Sequence, residues 1–109
     1  MAALSPQFLE AVQRLAASPE EQQAYLRQLG TAPSADELAL EFSDALMLEK
    51  GLLDDAVRAA AVQLDEQLAG MGGPQHEELW TVAALHTSEE WRRVRELAAE
   101  TLRRDEKLR

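Results

Sequence analysis

Residues 53–74 read LDDAVRAAAVQLDEQLAGMGGP. Leu53, Val57, Ala60, Ala61, Leu64 and Leu68 recur at spacings of three and four, which places them on one face of an α-helix. Gly70-Met71-Gly72-Gly73-Pro74 then forms the strongest breaker in the chain, because glycine loosens the backbone and proline removes a donor. A regular apolar stripe with an unambiguous stop predicts a helix near 53–69 and a loop after it.

The same grammar extends in both directions. Four N-terminal caps are expected, at Ser5 before Pro6, at Ser18 before Pro19, at Ser34 and at Thr87. A hydroxyl in these positions accepts from an otherwise unpaired backbone N–H, and proline suits the first helical position. Glu21, Glu37 and Glu90, three residues beyond Ser18, Ser34 and Thr87, suggest reciprocal capping boxes. Stops are expected at Ala17-Ser18, at Gly30 with Thr31-Ala32-Pro33, and at Lys50-Gly51, where Gly51 suits the left-handed residue that ends many helices. Apolar spacing agrees: Phe8, Val12 and Leu15 on the first helix, Tyr25, Leu26 and Leu29 on the second, and Trp91, Val94, Leu97, Ala98 and Leu102 on the last. Residues 75–86 are expected to form a further short helix, since nothing else in the chain offers a strand to pair with. The fold class expected is all-α, a compact bundle of about five helices with short loops, six if one of them breaks, and at least about two thirds of residues helical. Residues 1–109 are expected to form one helical domain.

Composition points the same way. Hydrophobic residues make up 46% of the 109 and aromatics 5%, while isoleucine is absent and valine and threonine are few. Leucine and alanine therefore dominate, which favours helix over strand. No cysteine is present, so disulfides and thiolate metal sites are excluded. Neither a basic apolar leader near Met1 nor a run of about 20 apolar residues is visible, and the expected setting is cytoplasmic.

The net charge is −9 and unevenly spread. Residues 51–90 carry eight acids and one base, whereas residues 91–109 carry four acids and seven bases. An anionic body repels phosphate backbones and anionic lipid, so neither nucleic acid nor membrane is expected as a partner. The basic residues of the last helix (Arg92, Arg93, Arg95, Arg103, Arg104 and Lys107) alternate with Glu96, Glu100 and Glu106, a pattern of i,i+3 and i,i+4 ion pairs.

Chemical motifs are absent. His76-Glu77-Glu78-Leu79-Trp80 begins like a zinc-protease helix, but Trp80 stands where the second histidine is needed. His86 is expected just before the last helix, beside Trp91. Ser5, Ser18 and Ser34 are caps, no Gly-x-Ser-x-Gly turn exists, and the glycines at 70–73 lack the following lysine of a phosphate loop. Adjacent acids such as Asp54-Asp55 and Glu77-Glu78 suit helix starts. Arg14, Arg27, Lys50 and Arg58 lie on different helices. No catalytic residue, cofactor or metal ligand is assigned, and the reading leans away from an enzyme.

The helix near 35–50 stands apart. Leu38, Phe42, Ala45 and Leu46 share one face, but Leu40 and Met47, seven residues apart, lie roughly opposite, and Leu48 widens the surface. Either this helix is central and packed on two sides, or Leu40 and Met47 form an interface. The expected function is a small, acidic, non-enzymatic interaction module that binds a protein partner or a second copy of itself, a homodimer being favoured. The alternatives are an acidic inhibitor or antitoxin-like binder of a basic partner, and a small helical enzyme or ligand-binding domain whose site is assembled only in three dimensions.

Overall fold

In the computed structural model the described residues are 4–30 and 34–107. Six α-helices occur among them: α1 (Pro6–Ala16), α2 (Pro19–Gln28), α3 (Asp36–Glu49), α4 (Asp55–Gly70), α5 (Val82–Thr87) and α6 (Glu89–Glu106). Two 3-10 segments, Lys50–Leu52 and Pro74–Trp80, precede α4 and α5. The described residues contain no strand, and more than two thirds of them are helical.

The helix count exceeds the expected five for two local reasons. Residues 75–86 do not form one helix: Thr81 is extended and caps α5 by accepting from the Ala84 N–H, and His76 already departs from helical angles. At Lys50-Gly51 the chain tightens into a 3-10 turn instead of adopting a left-handed glycine, and Gly51 has no positive φ. The turn is held from α4, where the Arg58 guanidinium donates to the carbonyls of Lys50 (2.9 Å) and Leu53 (2.6 Å).

Two caps fall where the sequence puts them. Ser5 accepts from the Phe8 N–H, and Ser18 forms a full capping box with Glu21. Two are corrected. Ser34 accepts only from the Asp36 N–H and makes no box with Glu37, because Ala35 is already helical and donates its own N–H to the Trp80 carbonyl. The cap of α6 is Ser88 rather than Thr87, and the Thr87 hydroxyl turns back onto the Ala83 carbonyl. Asp54, read in the sequence only as an acid suited to a helix start, is the cap of α4. The stop expected at Thr31-Ala32-Pro33 lies outside the described residues, although α2 ends before it and Gly30 has a φ of 73°.

Helix α6 is the hub, lying against both α4 and α1; α3 packs mainly on α1, and α2 meets α5. Trp91 is fully buried, crosses Trp80 at 88° with ring centroids 5.6 Å apart, and donates its indole N–H to the Leu79 carbonyl. Trp80 in turn donates to the Met71 carbonyl at 2.8 Å. These two bonds fix the 3-10 segment, whose short length leaves backbone groups to be satisfied by side chains. Phe8 and Phe42, 5.9 Å apart, join α1 to α3. The radius of gyration, 13.5 Å, is that of a chain folded around one core.

Candidate functional site

The inner face of α3 is as read from the sequence: Leu38, Phe42, Ala45 and Leu46 are buried against α1 and its neighbours. Two polar ties fix the helix from the same side. Glu49 accepts from the backbone N–H and hydroxyl of Ser5, which places a carboxylate at the positive end of α1. Glu41 accepts from the Tyr25 hydroxyl and lies 3.6 Å from Arg14. With rotation and end both set, the remaining face of α3 has one orientation.

That face is apolar and open. Leu40 is 55% exposed, Met47 81%, Leu48 72%, and Leu52, four residues beyond Leu48, 73%. The reading of α3 as a central helix packed on two sides is therefore overturned: α6 holds the centre, and α3 is covered on one side only. Leu40 and Met47 lie on the open side. Leu48 belongs with them, and Leu52 was missed because the turn that carries it was read as a simple helix stop. Asp36, Glu37, Asp44 and Lys50 are exposed on the same helix and its end, and none of them makes an ion pair among the described residues.

A second concavity lies between α1 and α2, a cleft of about 330 Å³ bordered by Glu10, Arg14, Glu21, Gln22 and Tyr25. Its interior is already spoken for. The Arg14 guanidinium sits 4.1 Å above the Tyr25 ring and within 3.7 Å of both Glu10 and Glu41. Burial, and then the bond to Glu41, push the Tyr25 hydroxyl above its ordinary value. Gln22, fully buried although polar, donates to the carbonyls of Arg14 and Leu15 at the end of α1, and its Oε1 has no partner. The cleft lacks a thiol or imidazole, and its one cation is shared between two glutamates.

His76 and His86 are not brought together. His86 lies inside α5 rather than before α6; one ring nitrogen is 2.8 Å from Gln23 and the other 3.7 Å from Glu20, so it bridges to α2 instead of packing on Trp91. Among the described residues no group of three or more histidines, aspartates or glutamates is placed to hold a metal ion, and no helix is long and apolar enough to cross a membrane. Four bases of α6 face glutamates one turn away: Arg92 to Glu89 and Glu96, Arg93 to Glu96, and Arg103 and Arg104 to Glu100, while Arg95 donates to the Leu85 carbonyl. Arg14 and Arg58, on α1 and α4, do not converge either. No protein-family model, curated protein or solved structure matches this chain, and its function is read from its own residues.

Proposed function

We propose that the protein is a non-enzymatic interaction module that docks onto another polypeptide through the outer face of α3. The observation that carries this reading is that Leu40, Met47 and Leu48 on α3, and Leu52 in the turn after it, are all more than half exposed while α3 is tied from behind through Glu41 and Glu49. Single exposed leucines are ordinary, but several large apolar side chains on one short surface mark an interaction site. Fully burying a leucine or methionine is worth roughly 1.5–3 kcal/mol. Four of them, starting partly covered, supply on the order of 5–10 kcal/mol against an association cost of about 4–15 kcal/mol. The face must be covered as a unit to bind, which is how a specific interface differs from a sticky surface. A cytoplasmic setting accompanies this reading, because a chain without cysteine needs no oxidising compartment.

The experiment places a photo-crosslinking amino acid at Met47 and, as control, at Gln63, which is exposed on α4. Irradiation in cells is expected to give a discrete adduct from position 47 that mass spectrometry maps to one chain and that Leu40→Glu with Leu48→Glu abolishes. Equal labelling from positions 47 and 63 would overturn the reading. The charge of −9 favours one second reading, an acidic binder of a basic partner. Its mark would be an adduct that disappears as salt is raised while the apolar substitutions leave it intact.

A further inference from the structure

Resting on the docking reading above, we infer that the occupant of the outer face of α3 is a second copy of the same chain, paired antiparallel about a two-fold axis that passes α3 at Ser43–Asp44. The inference comes from the order of residues along this face. Helix geometry advances 100° per residue, so Leu40 and Met47 lie within about 20° of each other and define the line of closest approach. Asp44 and Leu48 fall on one side of that line, Asp36 and Lys50 on the other. Glu49 departs to φ −119° and ψ −4°, but Lys50 still donates its backbone N–H to the Leu46 carbonyl, so the α3 ladder reaches it.

A two-fold axis perpendicular to the helix reverses direction but keeps each side of the line facing the same side of its mate. Leu40 then meets Met47 of the second copy, Leu48 lies beside its Leu40, and Lys50 lies beside its Asp36. The midpoints of these three pairings all fall at Ser43–Asp44, so one register satisfies them together. A parallel pair would set each side of the line against the opposite side of its mate, placing Lys50 beside the apolar Leu48 and Asp36 beside Glu37. On the Asp36–Lys50 side the face is thus self-complementary in charge, and along its central line in apolar spacing. By symmetry six large apolar side chains, Leu40, Met47 and Leu48 of each copy, are covered, an apolar centre of the kind found in helix-pair interfaces. Although each copy carries −9, charges more than about 8 Å apart are screened at physiological salt, and those within reach decide the register. Two acids oppose the pairing: Asp44 lies nearest the axis and meets its own copy, and Glu37 is exposed on the same side of the line.

The test is sedimentation of the full chain from about 1 to 300 µM, with circular dichroism to confirm that each variant stays helical. The wild type is expected to dimerise within that range. Lys50→Glu should weaken the dimer about tenfold, since each exposed ion pair is worth a factor of about 1.5–5, two are lost by symmetry, and repulsion replaces them. Asp36→Lys should weaken it similarly, and the two together should return affinity to within about threefold of wild type. Asp44→Asn should tighten it. A wild type that remains monomeric at about 100 µM overturns the self-pairing, as does a dimer indifferent to Lys50→Glu or not restored by the double change. If the protein is monomeric yet position 47 crosslinks to a different chain, the docking reading stands and the second copy is excluded. If position 47 crosslinks to nothing, both readings end.

Discussion

Tyr25 is the only tyrosine in the chain, and its surroundings make it a direct reporter of how α1, α2 and α3 meet. Its hydroxyl donates to Glu41 on α3 while its ring lies under Arg14 of α1. Burial disfavours the phenolate, the neighbouring carboxylate disfavours it further, and Arg14 opposes both, with the net effect upward from 10.0. The ultraviolet titration of the folded protein should therefore have its midpoint above 10, and Glu41→Gln should move it down without returning it fully, because the burial remains. The linkage follows in sign. A raised folded value stabilises the fold fully below the unfolded value of about 10, and that contribution is lost as pH rises through the folded value. A midpoint at the free-tyrosine value would show that the contact is not made in solution. Little of this was legible in the sequence, where Tyr25 counted as one more apolar residue. Gln22 had no sequence reading at all. Only a neighbouring helix end, with carbonyls to satisfy, makes a buried amide favourable there, and a periodicity of apolar residues holds no sign of it.

Helices were legible where local chemistry alone decides them. The stripe of α4 is buried at every position read, and the caps at Ser5 and Ser18 hold because each is followed by proline. Where two adjacent residues can cap, the sequence does not choose between them. Thr87 and Ser88 both qualify, and the choice falls to Trp91, whose indole has to reach the Leu79 carbonyl. Ser88→Ala is expected to cost about 1 kcal/mol, a typical loss for an N-cap. Thr87→Ala should cost less, since its hydroxyl bonds a carbonyl within its own helix. Chemical denaturation of the two variants checks the order, and a larger loss from Thr87→Ala would return the cap to the residue the sequence suggested. Trp91→Ala removes the largest fully buried side chain and should cost about 3–5 kcal/mol. The open side of α3 was legible only in part. Leu40 and Met47 were marked by their position opposite the core face, but two-sided burial and exposure leave the same spacing. Only the location of α6 decided between them, and that is a property of how helices pair rather than of any one helix.

At the scale of the whole molecule, charge separates what this protein repels from what it tolerates. Residues 91–109 carry seven bases and four acids, and taken alone they resemble a nucleic-acid-binding helix. Among the described residues Arg92, Arg93, Arg95, Arg103 and Arg104 have partners. Glu100 receives Arg103 at 2.5 Å and Arg104 at 3.0 Å, and hydrogen bonds from both hold its carboxyl below the usual value. Arg104 also donates to the Ala56 carbonyl at 2.9 Å, and Arg95 to the Leu85 carbonyl at 3.0 Å, so two guanidiniums tie α6 to α4 and α5. A phosphate approaching α6 would have to compete with these partners and with the −9 of the whole chain. Binding to duplex DNA depends on releasing counterions from phosphates that bases neutralise, and glutamates one turn away cancel most of that gain. Fluorescence anisotropy with a labelled duplex at about 150 mM salt should therefore show no binding up to roughly 100 µM protein, the weak end of ordinary non-specific affinity. Micromolar binding under those conditions would mean that the α6 ion pairs open to admit phosphate, and the polar face of α6, not the apolar face of α3, would then be the surface through which this protein acts.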